Sequence, residues 1–317
     1  MIKTYFDYIK KNTSYKNALL TSFVTITYLL GSALLIGFKT DQLFLAFLFN
    51  SLYFATLSSR KFILGFSIFI IFWIIFDSMK AFPNYLINSI HVEDLYLQEK
   101  TLFGINFNNS IYTPNEYLSQ HATTFLDVLA GFFYLNWVPV PLAFACYLFV
   151  KNKKAFLQLS LTFLFVNLIG FVIYYVFPAA PPWYVAEYGF EINHTTPGHT
   201  GALARFDDFF GVNVFGSLYS KSSNVFAAMP SLHSAYPVIV LYYGLKNKLG
   251  WVNILFTIFM LGIWFSAIYT NHHYTLDVLA GVSCAVVGIF IFQKVLLKNK
   301  LFVSFMSKYE QTISSAT

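Results

Sequence analysis

A chain of 317 residues in which 57% are hydrophobic, 21% aromatic and only 11% charged cannot cover a soluble globule with polar side chains, so composition alone places it in a bilayer. The formal net charge is +6. Its cations fall in short clusters between apolar runs and form no basic stripe interleaved with aromatics, which argues against a nucleic-acid partner.

A helix needs ~20 mostly apolar residues to cross a membrane. Eight candidate spans follow in chain order, at about 17–38, 42–57, 62–79, 125–149, 156–177, 231–245, 250–269 and 276–296, which predicts an all-α, polytopic membrane helix bundle. The run at 231–245 is short and carries Pro237, so it rests on the parity of its neighbours as much as on hydropathy. A basic segment precedes the first run, but no small-residue cleavage site follows it convincingly, and it reads as a retained helix. The organisation expected is one membrane domain over 1–317, with N-terminal helices in 1–79, whose third span is compatible with the core. Two long segments follow, 80–124 and 178–230, with a motif-bearing core at 125–297. Segments this long between helices usually carry function.

Short cytoplasmic loops collect Lys and Arg. With the N-terminus inside, one face holds Lys3, Lys10, Lys11, Lys16, Arg60, Lys61, Lys151, Lys153, Lys154, Lys246, Lys248, Lys294, Lys298, Lys300 and Lys308, fifteen of the twenty cations. The other face holds Lys39, Lys80, Lys100, Arg205 and Lys221 with most of the acids. Both termini are therefore expected to be cytoplasmic, and both long segments to lie on the periplasmic or lumenal side. Cys146 and Cys284 fall inside predicted spans, where a buried thiol is the ordinary reading. Sequons at Asn12, Asn108 and Asn193 matter only in a eukaryotic secretory pathway.

Ionisable residues at membrane depth are costly and need a reason. Asp277 lies four residues after His273, where a helix is expected to start, and that spacing puts both side chains on one face. A carboxylate on one imidazole nitrogen fixes the tautomer and leaves the other free to attack. The plainer alternative is a helix-end histidine with a buried partner. His233 falls in the first turn of another expected helix, with Ser231 as N-cap, so free N–H groups and a positive dipole end would face whatever binds there. For His233 alone capping or packing is the better reading. Two helix N-termini on one face, each bearing a histidine, suit a phosphate held between a nucleophile and a proton donor.

Pro230-Ser231-Leu232-His233 and Ser266-x6-His273-x3-Asp277, followed by Gly281, resemble the second and third motifs of the type 2 phosphatidic acid phosphatase superfamily. Further stretches are similar to the fungal-type inositol phosphorylceramide synthases, the aureobasidin targets within it: Phe177 to Tyr184, Leu203 to Asp207, Phe226 to Ser234, and His272-His273-Tyr274. The resemblance covers roughly 125–297. It implies a six-helix core formed by the last six spans, His273 as nucleophile, Asp277 as its orienting carboxylate and His233 as the acid and base.

Two departures carry information. The phosphatase branch has Lys-x6-Arg-Pro before its second motif and an Arg after the Ser of the third; here the first is missing and the second position is Ala267. A phosphomonoester carries nearly two charges and rewards several cations, whereas a diester carries one. Arg205, one of only two arginines, is read as a contact to phosphate or head group, against an almost equally weighted salt bridge to Asp207 or Asp208. Asp77, Lys80, Asp127, Asn271 and Tyr274 are read either as head-group contacts or as interface anchors, and Trp183 and Tyr184 as part of the resembling stretch or as ordinary interface aromatics. A zinc reading of His194, His199 and His233 is set aside, since no carboxylate or Cys has suitable spacing.

The function expected is transfer of a phosphoryl head group, by resemblance phosphoinositol, from a glycerophospholipid to ceramide through a phosphohistidine, with no metal or cofactor. The nearest alternative is a lipid phosphate phosphatase using water as acceptor, and the more distant one a lipid transporter or binding protein. The partners are membrane lipids, and in a bacterium the site would face the periplasm from the inner membrane.

Overall fold

The computed structural model describes residues 14–220 and 224–314. Lys3, Lys10, Lys11, Lys221 and the sequon at Asn12 lie outside them. All eight expected spans are helical, and the chain is a multi-pass membrane protein. Helices α1 (Tyr15–Ile36), α2 (Thr40–Ala55) and α3 (Leu57–Ser78) come first. The fourth span is split into α6 (Thr124–Leu135) and α7 (Pro139–Lys151), where Pro139 opens the second half as a first-turn proline. The bundle closes with α8 (Lys153–Val176), α12 (Leu232–Lys246), α13 (Val252–Tyr269) and α14 (Thr275–Lys294). Six of these units are long and apolar enough to cross a membrane. The other two, α2 with 16 residues and α12 with 15, rise only ~24 and ~22 Å against a hydrocarbon core of ~30 Å.

The described residues of the two long segments form defined elements. The first folds into α4 (Glu93–Phe103), an antiparallel hairpin of β1 (Ile105–Phe107) and β2 (Ser110–Tyr112), and α5 (Pro114–Gln120). Its turn uses Asn108 and Asn109 at φ 49° and 60°, the left-handed pair that tight hairpins favour. The second contains α9 (Pro182–Tyr188), α10 (Ala204–Phe210) and α11 (Val214–Tyr219). Backbone bonds stitch the segments together: Ala180 N–H donates to the His91 carbonyl at 3.0 Å, and His91 N–H to that of Pro178 at 2.8 Å.

Helix α12 sits at the centre, packed against α8, α13 and α14. Its buried face, Ala235, Ile239, Val240 and Tyr243, joins one core cluster with Phe163, Val166, Ala285 and Phe292. Polar side chains pair across the bundle: the Tyr236 hydroxyl donates to Asn167 Oδ1 at 2.6 Å and Gln293 Nε2 to the Tyr243 hydroxyl at 2.9 Å. Helix α3 joins this core through aromatic contacts such as Phe66 on Phe156, whereas α1 buries only Thr21 and Ser32. A further helix beyond the eight, α15 (Lys300–Ser314), lies along α3 and α8, with Tyr309 donating to the Leu64 carbonyl at 2.7 Å. Both cysteines are free thiols.

Candidate active site

The two histidine motifs meet through their backbones. Ser231 caps α12, its Oγ accepting from Ser234 N–H at 3.4 Å, and its own N–H donates to the Asp277 carbonyl at 2.9 Å. One turn further along α14, a Cβ on Gly281 would stand 2.0 Å from the Ser231 carbonyl oxygen. Only glycine permits that approach, which is why the residue after the third motif has no side chain.

This docking brings the starts of α12 and α14 side by side. His233 Nδ1 lies 3.2 Å from His273 Nε2, and His273 Nδ1 lies 3.6 Å from Asp277 Oδ2. The second distance is too long for a direct hydrogen bond. Asp277 Oδ2 accepts from Tyr274 N–H at 2.8 Å, while Asp277 Oδ1 and His273 Nδ1 are buried with no partner. Burial pushes His273 down to about 4, with the Ala228 carbonyl acting the other way, so the imidazole is neutral at neutral pH. That is the protonation state a nucleophile needs.

Residues that the sequence did not single out complete the surroundings. The Tyr134 hydroxyl, from the last turn of α6, lies 3.0 Å from His233 Nδ1, and the Trp137 ring, from the break between α6 and α7, meets His233 edge-on at 4.4 Å. Asn115 Nδ2 donates to the carbonyls of Ile268 at 2.7 Å and His273 at 3.0 Å, clamping the turn that carries the nucleophile. The fully buried carboxylate of Glu99 accepts from the N–H groups of Thr275 at 2.8 Å and Leu276 at 3.0 Å. Of the two helix N-termini read as a phosphate site, α14 is already capped by a protein carboxylate. None of these residues carries a local signal, since each acts on a partner about 100 or more positions away in the chain.

Of the other candidates, Asn271 and Tyr274 flank the nucleophile. Asn271 adopts φ 62°, accepts from Trp183 N–H at 2.9 Å on its carbonyl and donates to Ser119 Oγ at 3.0 Å. The Tyr274 hydroxyl is buried and unpartnered. Arg205 pairs with Asp127, Nε to Oδ1 at 2.7 Å, rather than with Asp207 or Asp208. The contact is close in distance but not aligned as a hydrogen bond, and the Arg205 Nη2 group is buried without a partner. Asp127 also accepts from the Tyr269 hydroxyl at 2.8 Å. Asp207 is occupied in capping α11, accepting from the N–H groups of Val214, Phe215 and Gly216.

Three candidates are not brought to the histidines. Lys80 is paired with Asp77 at 2.6 Å near the end of α3. Trp183 and Tyr184 are buried rather than displayed at an interface, and the Tyr184 hydroxyl donates to the Glu191 carbonyl at 2.7 Å while accepting from Asn193 N–H at 2.7 Å. His272, beside the nucleophile, lies near-parallel to the rings of Tyr134 and Tyr219 and is bonded through Nε2 to the Thr200 carbonyl at 2.8 Å. Burial, reinforced by the neighbouring histidines, holds it well below the usual imidazole range. Among the described residues, no three His, Cys, Asp or Glu side chains come together as a metal-ligand set.

A helix bundle with two histidines and an aspartate at adjoining helix starts defines a class of membrane lipid-phosphate enzymes, and the chain belongs to the PAP2 superfamily, whose family model matches residues 105–291. Phosphoinositol dihydroceramide synthase of Bacteroides thetaiotaomicron is 47% identical over 302 residues, covering 95% of this chain and 99% of that protein. The inositol phosphorylceramide synthase catalytic subunit AUR1 of Saccharomyces cerevisiae is 32% identical over 71% of this chain and 54% of its own length. Its counterpart in Schizosaccharomyces pombe is 30% identical over 73% and 54%. No solved structure matches the chain.

Proposed function

We propose that this chain is a membrane phosphotransferase that moves phosphoinositol from a glycerophospholipid to a ceramide-type acceptor through a phosphohistidine on His273. The observation that carries the chemistry is the 3.2 Å approach of His273 Nε2 to His233 Nδ1, with Asp277 behind the opposite nitrogen of His273. The substrate class follows from the relative that is 47% identical over nearly the full length of both chains.

In the first half-reaction His273 Nε2 attacks phosphorus, the bond to the diacylglycerol oxygen breaks, and His233 protonates that oxygen. In the second, His233 removes the proton of the acceptor hydroxyl, whose oxygen attacks phosphorus and releases His273. An in-line displacement needs nucleophile and acid roughly 6–7 Å apart, so the donor must part the two histidines as it enters. Ala267, fully buried, stands where the phosphatase branch has Arg, and its carbonyl accepts from His272 and His273 N–H. The lack of a cation there favours a singly charged diester over a phosphomonoester, and Arg205, with Nη2 unpaired, is the group left to meet the diester charge or the inositol ring. The lysine-rich loops put both termini in the cytoplasm and the histidines toward the periplasm or lumen, in a bacterium at the inner membrane.

The test incubates the purified protein with phosphatidylinositol and ceramide and identifies products by mass. Phosphoinositol ceramide and diacylglycerol should appear in equal amounts. Phosphate release from phosphatidic acid with no ceramide product would instead make the chain a hydrolase.

A further inference from the structure

We propose that Tyr134 is the positioning residue of His233: its hydroxyl oxygen takes the Nδ1–H of that histidine and keeps Nε2 as the nitrogen that gives and receives the catalytic proton. The inference rests on the phosphohistidine reading and adds to it the tautomer of the second histidine.

The geometry poses a choice at one atom. His233 Nδ1 is 3.0 Å from the Tyr134 hydroxyl and 3.2 Å from His273 Nε2. An imidazole nitrogen carries either a proton or a lone pair, so it cannot accept from the tyrosine and donate to the other histidine at once. For His273 to attack, its Nε2 must hold the lone pair. The proton between the two rings therefore belongs to His233 Nδ1, shared between two acceptors. When phosphorus enters and the rings part, Tyr134 is the acceptor that remains.

The proton count then closes over both half-reactions. With the anionic donor between the rings His233 is an imidazolium, its Nδ1–H on Tyr134 and its Nε2–H toward the leaving oxygen. Breaking the phosphorus–oxygen bond moves the Nε2 proton to the diacylglycerol oxygen while the phosphorus–nitrogen bond forms on His273. His233 is left neutral, still protonated on Nδ1, with its lone pair at Nε2. That lone pair takes the acceptor's hydroxyl proton as the new phosphorus–oxygen bond forms and the phosphorus–nitrogen bond breaks, and the imidazolium is restored.

The two histidines thus face different groups at Nδ1. The carboxyl group of Asp277 stands 3.6 Å behind His273, whereas a neutral phenol orients His233 without holding its acidic proton. Tyr134 is itself firmly placed. It is fully buried in the last turn of α6, its ring near-parallel to that of His272 at 5.4 Å and 13°, with Tyr219 also near-parallel to that histidine at 4.5 Å and 17°. The Tyr134 hydroxyl also meets the hydroxyl of Tyr219.

Tyr134→Phe keeps the stack and removes the hydroxyl. Wild type and variant are compared on two donors, phosphatidylinositol and p-nitrophenyl phosphoinositol, whose phenolate leaves without a proton. With the lipid donor, kcat should fall about 10–100-fold at a KM within about 2-fold, a part of the 10²–10⁴ that a general acid supplies. Formation of the acid-labile phosphoenzyme from the nitrophenyl donor should be unchanged, which also shows that the variant is folded. Equal loss on both donors, or no loss on either, overturns the assignment. A second variant covers a folding failure: on a His233→Ala background, Tyr134→Phe should cost nothing more on either donor, and a further loss there overturns it too. If wild-type protein forms no phosphoenzyme, the phosphohistidine reading fails and the role of Tyr134 with it. If it does and the variant matches it on both donors, only the role of Tyr134 fails.

Discussion

Residues 80–124 contain none of the stretches that resemble known motifs, whereas 178–230 contains most of them, yet the first segment makes the closer contact with the nucleophile's helix. Glu99 and Asn115 reach from α4 and α5 to the first N–H groups of α14 and to the His273 carbonyl. The second segment spends most of its recognisable side chains on packing, Tyr184 closing its own loop and Asp207 capping α11, and it meets His273 through the backbone carbonyl of Ala228. The difference teaches that a stretch can be recognisable because it must pack in one way, while the residues that aim a catalytic group can be single polar side chains with no pattern around them.

The comparison has an upper limit that should be measured first. His273→Ala should lower turnover by at least about 10³-fold while leaving the melting temperature near wild type, as expected for removal of a nucleophile. Below that limit lies Glu99→Ala, which leaves two buried N–H groups at the start of α14 unsatisfied, a cost of about 1–3 kcal/mol each. It should lower both melting temperature and kcat, the latter about 10-fold or more, with Glu99→Gln recovering part of each because one acceptor oxygen remains.

The pH dependence of His273 sharpens the same contrast. Its folded value of about 4 lies below the ~6.5 of a free imidazole, so the unfolded chain takes up a proton that the folded one refuses. Stability from this group should therefore be full above about pH 6.5, fall between about 6.5 and 4, and level off below. Phosphoenzyme formation should keep a neutral nucleophile down to about pH 4, and an acid limb near 6.5 would contradict the burial of this ring.

The smallest effect belongs to the second segment. Tyr184→Phe removes the hydroxyl that joins Glu191 and Asn193 and should cost about 1 kcal/mol, read as a lower melting temperature with kcat unchanged. A kcat loss as large as that of Glu99→Ala would break the distinction between the two segments.

Much of the bundle was legible in the sequence, because hydropathy and length report directly on burial in lipid. The interruption at 136–138 and the short α12 were the less legible parts, since an apolar run does not record where a helix pauses. At the site, His233, His273 and Asp277 were legible from spacing, and the structure brings them together. Arg205 was read as a substrate contact or a salt bridge to Asp207 or Asp208, and the fold gives it Asp127 as ion-pair partner with Nη2 left unpaired. The cap on α14 was not legible: a helix start attracts a carboxylate, and nothing local said that Glu99 would supply one.

What the amino-acid order determined by itself is therefore the solvent, the helical class and the histidines and aspartate at two helix starts, because composition and i,i+4 spacing act over a few residues. What only the tertiary structure decided is which nitrogen faces which partner: the Ser231–Asp277 backbone bond, the bare face of Gly281, and the approaches of Tyr134, Asn115 and Glu99 from remote segments. Those contacts join positions far apart in the chain, and at such separations the register of one polar atom against another is set by how the helices pack.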